Sequence, residues 1–328
     1  MRLVVTGAAG LLGQRLIAAV LKRGHLTGSD GVSGPITQIF AFDRAEPSGF
    51  QDERVIAVTG DVSDPAQIAK LIDGDTSSVV HLAAIVSGQA EQDFDLGMRI
   101  NVDATRVVME RIRNAAPGAK LVITSSVAVF GGSMPAVVPD SYVWKPQSSY
   151  GTQKAINDLL LADYSRRGYL DGRSLRMPTI VVRPGEPNSA APSFASGIIR
   201  EPLNGLDADC PVSPDTVLWL MSPEQAIQNI LHGHELPASD LGGDRVINMP
   251  GLSITVAEML RALRVVGGDA VADRVHMRPD PRVENIVNSW PGDFSADLAH
   301  RLGFTHDVDF NGVIEAFVKH NATQTRAH

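Results

Sequence analysis

The chain has 328 residues, of which 44% are hydrophobic and 20% are charged, a composition that suits one large α/β unit or two domains around an ample buried core. A formal charge of -8 argues against nucleic acid as a partner, and the single cysteine, Cys210, excludes an intrachain disulfide and a cysteine metal cluster. The sequence shows neither a signal-peptide segment nor a membrane-spanning run, so we expect a cytoplasmic protein with no membrane partner.

A glycine-rich turn follows the first apolar segment. Residues 2–13 are predicted to form a short strand, a turn and the start of a helix, with glycines in a G-x-x-G-x-x-G pattern. Gly7 would permit the tight turn, Gly10 would let a pyrophosphate approach the backbone, and Gly13 would let the helix lie close to the sheet. The helix N-terminus favours an anion, so this stretch predicts a dinucleotide site.

The second strand, predicted over residues 38–42, ends at an acidic residue, Asp43. A carboxylate at this position can accept hydrogen bonds from both hydroxyls of an adenosine ribose and would repel a 2′-phosphate, which favours NAD over NADP. Two features weaken the preference. Residues 24–35 form a glycine-rich insertion that lengthens the usual spacing, and Arg44 could accommodate a phosphate.

The third predicted strand, residues 55–58, leads to Asp61, and two interpretations of this aspartate stay open. Its carboxylate could meet the amino group of an adenine, or it could cap the helix that begins after Pro65.

The fourth predicted strand, within residues 78–84, ends in a turn of small residues where a cofactor can pass close to the backbone. We interpret His81 at the strand end as structural rather than catalytic. The following helix, predicted over residues 90–113, carries Asn101 on an apolar stretch. A buried amide needs hydrogen-bond partners, so Asn101 is expected to organise the loops of the site.

The fifth strand, predicted over residues 120–124, delivers Ser125 and Ser126 at its carboxyl end, and a helix of about residues 148–167 follows. Tyr150 and Lys154 lie one helical turn apart and share a face. A phenol has a reference pKa of about 10, and a neighbouring ammonium would lower it. Ser126 could then hydrogen bond to a substrate oxygen. Alone, the tyrosine–lysine pair would fit any exposed helix.

Strands alternating with helices at this spacing predict an α/β fold with a Rossmann-type doubly wound parallel sheet. Prolines cluster after residues 181–185, as at a domain boundary. We therefore predict an NAD-binding domain over residues 1–184 and a smaller α/β substrate lobe over 185–328. This lobe is expected to have helices near residues 193–200, 222–233, 254–266 and 309–319, and residues of about 215–250 could return to the main sheet.

With these residues assembled, the chain resembles the extended short-chain dehydrogenase/reductase family, which contains the NAD-dependent epimerases and dehydratases. The resemblance rests on residues 6–13, Asp43, Asp61-Val62, His81 to Ala84, Asn101, Ser125-Ser126, Tyr150, Lys154 and Arg183-Pro184-Gly185. It implies that Tyr150 is the acid/base, that Lys154 holds the nicotinamide ribose and lowers the tyrosine pKa, and that Ser126 binds the reacting oxygen.

The same resemblance implies a site for NAD and a homodimer formed by the helices at residues 90–113 and 148–167. The expected cofactor residues are Gly7, Gly10, Leu11, Leu12, Gly13, Asp43, Asp61, Val62, Leu82, Ala83, Ala84, Asn101, Ser125, Tyr150, Lys154 and Pro184, with Ser125 and Pro184 against the nicotinamide.

The second half is similar to a narrower group within the family, the D-erythronate dehydrogenases. The similar segments are residues 177–185, 196–203, 248–252 and 286–291. This similarity implies NAD-dependent oxidation of the 2-hydroxyl of a small sugar acid, D-erythronate to 2-oxotetronate. Glu186 stands where a lysine is expected, which leaves the role of that position open.

The alternative is a nucleotide-sugar epimerase or dehydratase, which must hold a diphosphate. Between residues 185 and 250 the chain has no lysine and only two arginines, Arg200 and Arg245, which favours a small hydroxy acid. Arg200 is the candidate partner for its carboxylate, although it also fits a surface arginine at a helix end. Ser193, Ser196 and Trp219 could line the pocket, and Trp219 also fits a core residue.

Other classes of function are less well supported. His232 and His234 are interpreted as exposed side chains without a third ligand, so no metal site is predicted. Ser125-Ser126 lacks the Gly-x-Ser-x-Gly turn of hydrolases. A regulator that keeps the fold without the chemistry would have no reason to retain Ser126, Tyr150 and Lys154 together.

Overall fold

The structure is a computed structural model that describes residues 1–185 and 193–325, so Glu186 lies outside the described residues. Its strands are β1 (Arg2–Thr6), β2 (His25–Thr27), β3 (Ser33–Pro35), β4 (Gln38–Asp43), β5 (Val55–Thr59), β6 (Thr76–His81), β7 (Lys120–Ser126), β8 (Asp171–Met177), β9 (Thr179–Ile180), β10 (Ala208–Cys210), β11 (Val217–Met221), β12 (Val246–Asn248), β13 (Leu252–Thr255) and β14 (Val275–Met277).

The α-helices are α1 (Leu11–Arg23), α2 (Pro65–Leu71), α3 (Ser87–Gln92), α4 (Phe94–Gly97), α5 (Ala104–Ala115), α6 (Ser149–Arg166), α7 (Ser193–Leu203), α8 (Pro223–Glu235), α9 (Ala238–Leu241), α10 (Val256–Gly267), α11 (Asp269–Ala272), α12 (Pro281–Asn288), α13 (Asp297–Arg301) and α14 (Phe310–Thr325). A π-helical segment, Met98–Asp103, joins α4 to α5, and a 3₁₀ turn, Val127–Val129, follows β7.

Seven of the described strands form one parallel sheet in the order β12-β8-β7-β6-β1-β4-β5. The chain builds outward from β1 in one direction, then returns to the other side of β1 with β6. This reversal is the topological switch point of a doubly wound sheet, where ligands bind beyond the carboxyl ends of the strands. The predicted fold class is therefore confirmed.

Helices cover both faces of this sheet. On one face, α1 packs against α8, and apolar residues such as Leu16, Ile17 and Ile230 are fully buried beneath them. On the other face, α2, α5 and α6 cover a second core that includes Val108 and Ile112. These two layers hold the strand ends, and with them the loops at the carboxyl edge, in fixed positions.

Residues of the second half take two different places. Helix α8 lies on the main sheet, and β12 extends its edge beside β8. In contrast, β11 pairs with β9 and β13 in a separate three-stranded sheet, seen within the described residues, whose core includes Ile198, Leu220 and Phe317. A domain boundary at residue 184 remains a prediction, because the chain crosses back to the main sheet after it.

The region predicted as one helix over residues 90–113 is interrupted. Asp93 has a non-helical backbone (φ −129°, ψ 89°), and its carboxylate accepts a hydrogen bond from the Leu96 amide, so it ends α3 and caps α4. The π-helical turn that follows contains Asn101, and such turns are frequent at functional sites. Hydrophobic periodicity does not predict either feature.

Strand β8 was not identified in the sequence, because Asp171, Arg173 and Arg176 make it look exposed. Both arginines are buried, Arg173 completely. Arg173 donates hydrogen bonds to the carbonyl oxygens of Gly233 and Leu236 at the end of α8, where a cation is favoured. Asp171 supplies the countercharge, 3.0 Å from Arg173, but the carbonyl oxygens that complete the hydrogen bonds lie about sixty residues further along the chain.

No helix within residues 1–185 and 193–325 combines the length and the apolar character needed to cross a bilayer.

Candidate active site

The glycine turn between β1 and α1 leaves no room for side chains. Gly7 has a φ of +74°, and a Cβ there would lie 2.7 Å from the Ala83 amide nitrogen. A Cβ on Gly13 would lie 2.2 Å from the Gly7 carbonyl oxygen, so the helix packs directly on the turn. Gly10 begins the helix without a side-chain cap, and no acidic residue occupies its first turn. The helix amides are thus available to an anion such as a pyrophosphate, which fits a dinucleotide.

A cleft of about 420 Å³ opens beside this turn at the switch point. Eight of the predicted cofactor residues line it, namely Gly7, Gly10, Asp43, Asp61, Val62, Leu82, Ala83 and Ala84. Arg44 and Arg99 line the same cleft. Leu11 and Leu12 begin α1 next to it, and Gly13 is buried behind them. The predicted residues therefore converge, although they come from four separate segments of the chain.

Two aspartates hold fixed positions in this cleft. The Asp43 carboxylate accepts hydrogen bonds from the amides of Ala9 and Ala45, at 3.0 and 3.1 Å. Asp61 accepts from the hydroxyl and the amide of Ser63, and these bonds lower its pKa below the usual range. Asp64, not Asp61, caps α2, so the capping alternative for Asp61 is wrong.

His81 is buried at the end of β6 and joins two hydroxyls. Thr105 Oγ1 already donates to the Asn101 carbonyl and therefore accepts from His81 Nε2, while His81 Nδ1 accepts from Thr6 Oγ1 at 2.7 Å. Burial lowers the His81 pKa to about 3, and the nearby Lys154 ammonium adds to this effect. His81 is thus neutral and structural, as its sequence context predicted.

Asn101 is also fully buried and connects two loops of the site. Its side-chain oxygen accepts from the Ile85 amide, and its side-chain nitrogen donates to Gln153 Oε1 at 2.7 Å. Ile85 belongs to the cleft, and Gln153 lies on α6 between Tyr150 and Lys154. The contacts agree with the organising role expected for Asn101, and they leave its cofactor contact a prediction.

Helix α6 brings Tyr150 and Lys154 to the carboxyl edge of the sheet. Ser148 caps the helix, accepting a hydrogen bond from the Gly151 amide. Gly151 is needed because a Cβ there would lie 2.1 Å from the Ala128 carbonyl oxygen in the turn that follows β7. This close packing sets Tyr150 beside Ser126, whose hydroxyl accepts from the Ala128 amide.

The electrostatics differ from those predicted from spacing. Lys154 Nζ lies 5.5 Å from the centroid of the Tyr150 ring but donates to the Thr124 carbonyl oxygen at 2.8 Å. Burial lowers the Lys154 pKa to about 8 and raises the Tyr150 pKa to about 12. The charge that lowers the phenol pKa in this structure is Arg183, not Lys154. The expectation that Lys154 lowers the Tyr150 pKa is therefore corrected for the protein without cofactor.

Ser126, Tyr150 and Arg183 line one small pocket of about 150 Å³. Its wall also includes Pro178, Thr179, Ile180 and Trp290 from the second half of the chain. The sequence pointed to Arg183 only as part of the Arg183-Pro184-Gly185 segment and predicted no role for it in the site. Its position in the pocket depends on the β9–β11 pairing, which no local pattern predicts.

Several predicted residues lie elsewhere. The Ser125 hydroxyl donates to Asp158 in the interior, because successive strand residues face opposite sides. Arg200 is buried, and its guanidinium contacts the Arg183 carbonyl and Glu201 rather than the described pocket lining. Ser193 begins α7 and Pro184 follows Arg183, and neither is among the described lining residues. Pro178, directly after β8, lines the pocket with Tyr150, and the contact of Pro184 with the nicotinamide stays a prediction.

The remaining candidates are structural. Trp219 is buried, donates to the Met249 carbonyl and packs against Phe294, so it is a core residue. The prediction that both histidines of α8 are exposed is wrong. His234 is 1% exposed and contacts the Ser78 hydroxyl, while His232 contacts the Leu302 carbonyl. No group of three or more potential metal ligands occurs in the described part of the chain.

The doubly wound sheet, the glycine-turn cleft and the serine–tyrosine–lysine arrangement are typical of the extended short-chain dehydrogenase/reductases. Residues 3–215 match the model of the NAD dependent epimerase/dehydratase family, and the chain belongs to that family.

Two curated relatives carry the name D-erythronate dehydrogenase. The protein from Cupriavidus necator is 54% identical over 97% of this chain and 98% of its own length, and that from Haemophilus influenzae is 42% identical over 98% and 100%. A solved structure described as a nucleoside-diphosphate-sugar epimerase from Agrobacterium tumefaciens is 39% identical, with a TM-score of 0.91 over 97% of this chain and 94% of that one.

Proposed function

We propose that this protein is an NAD-dependent dehydrogenase that oxidises the 2-hydroxyl of a small sugar acid, D-erythronate, to 2-oxotetronate. The observation that carries the proposal is the small pocket beside the glycine-turn cleft in which Ser126 and Tyr150 meet Arg183, the one cationic side chain among the described lining residues. The names of the relatives from Cupriavidus necator and Haemophilus influenzae support the substrate.

Three residues of the chain would take part in proton transfer and cofactor binding. Tyr150 removes the proton of the substrate hydroxyl, and Ser126 donates a hydrogen bond to the same oxygen, which holds it beside the phenol. Bound NAD would supply the acceptor for the hydride that leaves C2, so that the alcohol becomes a ketone. Lys154, fixed by the Thr124 carbonyl, would hold the cofactor ribose and keep positive charge near the phenol. The pocket walls position the substrate, which supplies much of the acceleration.

The cofactor is proposed to lie with its pyrophosphate on the α1 N-terminus. Its adenosine ribose would be held by Asp43, whose carboxylate is fixed by two backbone amides and opposes a 2′-phosphate. Asp61 would approach the adenine. The residues that fit the cofactor thus give NAD preference over NADP.

A nucleotide-sugar epimerase remains the second candidate, because the solved Agrobacterium tumefaciens structure is described as one. Such a substrate needs several cations for its diphosphate. Arg183 is the one cation among the described lining residues, and Arg245 pairs with Asp171 instead. A pocket of about 150 Å³ also suits a four-carbon acid better than a uridine diphosphate sugar.

The test is a screen for NAD reduction with four- to six-carbon aldonates beside UDP-sugars. We expect NADH formation with D-erythronate and no conversion of the UDP-sugars; the reverse result would establish the epimerase. Tyr150→Phe should lower kcat by about 10²–10⁴-fold while NAD binding, followed by calorimetry, is retained. Equal turnover by this variant would remove Tyr150 from the mechanism.

A homodimer is a further part of the proposal. Leu159 on α6 is 61% exposed and Phe94 at the start of α4 is 57% exposed, so both apolar side chains are available to a helical interface. Sedimentation equilibrium of the protein and of Leu159→Asp should show a dimer and a weakened dimer. A monomeric protein would refute this part alone. The cytoplasmic location likewise stays a proposal.

A further inference from the structure

We propose that Arg183 is the residue that selects acids over neutral polyols, by binding the substrate carboxylate, and that α7 fixes its position through both backbone groups of residue 183. This inference rests on the proposed function of the same pocket. It replaces Arg200, which the sequence suggested for this role, with a residue that no sequence pattern assigned.

The first argument is the composition of the pocket. Among its described lining residues, Arg183 carries the one charge, and the others are apolar or hydroxyl-bearing. Glu201 pairs with Arg200 and Asp171 pairs with Arg245, whereas no carboxylate among the described residues forms an ion pair with Arg183. A partly buried guanidinium facing a pocket is costly unless an anion completes it, and a planar carboxylate matches its paired donors.

The second argument is the way in which the backbone is held. The Ser196 hydroxyl accepts a hydrogen bond from the Arg183 amide at 3.1 Å, and Arg200 Nη1 donates to the Arg183 carbonyl at 2.8 Å. Both are on α7, and both are buried, to 1% and 5% exposure. Two bonds from one helix fix the peptide groups on either side of a single residue, which is the support that a precise binding side chain needs. Ser196 and Arg200 are thus positioning residues.

The third argument is proximity to the reacting group. Arg183 and Tyr150 line the same small pocket, and the Arg183 charge lowers the pKa of the phenol that would take the substrate proton. Burial and the neighbouring Arg200 lower the pKa of Arg183 from its ordinary value, yet a guanidinium stays protonated in proteins. In a 2-hydroxy acid the carboxylate is attached to the carbon that is oxidised. One cation close to the phenol can therefore bind the acid and orient its 2-hydroxyl.

The experiment compares D-erythronate with its neutral amide in the full-length protein. In Arg183→Gln, KM for the acid should rise about 10- to 100-fold, as expected for loss of a charge-assisted hydrogen bond, while KM for the amide changes by less than about threefold. Any fall in kcat that comes from a higher Tyr150 pKa should be the same for both substrates, so the ratio of acid to amide in kcat/KM is the readout. Arg183→Lys keeps the charge but loses the paired donors, so its KM for the acid should lie between those of the unmodified protein and Arg183→Gln. Ser196→Ala should raise KM for the acid, but not for the amide, by less than Arg183→Gln does. Arg278→Gln removes an exposed arginine on the lobe surface and serves as the matched control.

Calorimetric titration with D-erythronate provides a readout without turnover. Binding that is lost in Arg183→Gln and retained in Arg278→Gln supports the inference. An unchanged preference for acid over amide in Arg183→Gln would refute it while leaving the dehydrogenase intact. If the unmodified protein oxidises no aldonate, the proposed function fails; absence of D-erythronate binding in that protein would overturn the carboxylate site as well.

Discussion

The buried ion pair between Asp158 and Arg176 provides a quantitative test of how the catalytic helix is attached to the sheet. Asp158 on α6 is 0% exposed, and Arg176 on β8 is 2% exposed. The carboxylate accepts hydrogen bonds from Arg176 Nε at 2.8 Å and from the hydroxyls of Ser125 and Ser174. The guanidinium also lies over the Trp144 ring, 3.8 Å from its centroid. The pair therefore joins α6, β7, β8 and the loop that precedes α6.

Removal of one partner leaves the other charge buried, which costs about 3–5 kcal/mol. Both groups are almost fully buried and Arg176 Nη2 already has no partner among the described residues, so Asp158→Asn should lie in this range. Arg176→Met should cost a similar amount. In the double variant no charge is stranded, and we expect it to be more stable than the sum of the single effects implies, by about 2 kcal/mol.

The assay is equilibrium unfolding in guanidinium chloride, followed by far-ultraviolet circular dichroism and by tryptophan fluorescence, since coincident curves are needed for a free energy of unfolding. Asp163→Asn, on the same helix but 57% exposed beside Arg166, is the matched control and should cost less than about 1 kcal/mol. A loss below about 1 kcal/mol in Asp158→Asn, or strict additivity in the double variant, would refute the reasoning.

Three further predictions concern the cleft and the strand ends. In Gly151→Ala the new Cβ would lie 2.1 Å from a backbone oxygen, so kcat should fall at least about tenfold while NAD affinity is kept. Gly197→Ala is the control, because its Cβ meets nothing closer than 3.6 Å. Equal kcat in the two variants would contradict the packing argument. The His81 pKa of about 3 lies below its unfolded value, so the unfolded state binds the proton first, and stability should fall as pH drops below about 6.5, by about 2 kcal/mol at pH 5. His81→Gln should reduce this slope in denaturant titrations at several pH values, and parallel slopes would argue against it. Asp43→Asn should lower the ratio of kcat/KM for NAD to that for NADP about tenfold, whereas an unchanged ratio would mean that the carboxylate does not face the ribose.

The sequence predicted which residues meet at the cleft beside β1, because its signals are local, and their contacts with a cofactor stay a prediction. Each cofactor segment is a strand end followed by small or acidic residues, and parallel strands bring such ends to one edge. Gly7 and Gly13 illustrate this, since the steric limits that the turn imposes are visible as glycines in the sequence. The substrate half is not local. Thr179 and Arg183 meet Tyr150 because β9 pairs with β11, and a two-residue strand leaves no pattern to detect. Trp290 reaches the same pocket from the loop after α12, more than a hundred residues further along the chain.

Tyr150 shows why spacing alone could not predict the electrostatics. The interval of four residues did bring Lys154 to the tyrosine ring, but the ammonium donates to a backbone carbonyl, and burial raises the phenol pKa to about 12. At pH 7 about one such phenol in 10⁵ is ionised, so the protein alone is a poor base. A carboxylate on Arg183 would cancel part of the one charge that lowers this pKa.

Positive charge must therefore arrive with the oxidised cofactor, and Lys154 must act together with it. Because the Lys154 pKa is lowered to about 8, its charge is retained below that pH and lost above it. We expect the pH midpoint of kcat to lie well below 12 and to move to higher pH in Lys154→Met, as followed by NAD reduction across pH. An unchanged midpoint in that variant, with NAD binding intact, would show that the phenol is activated by the cofactor and Arg183 without the lysine.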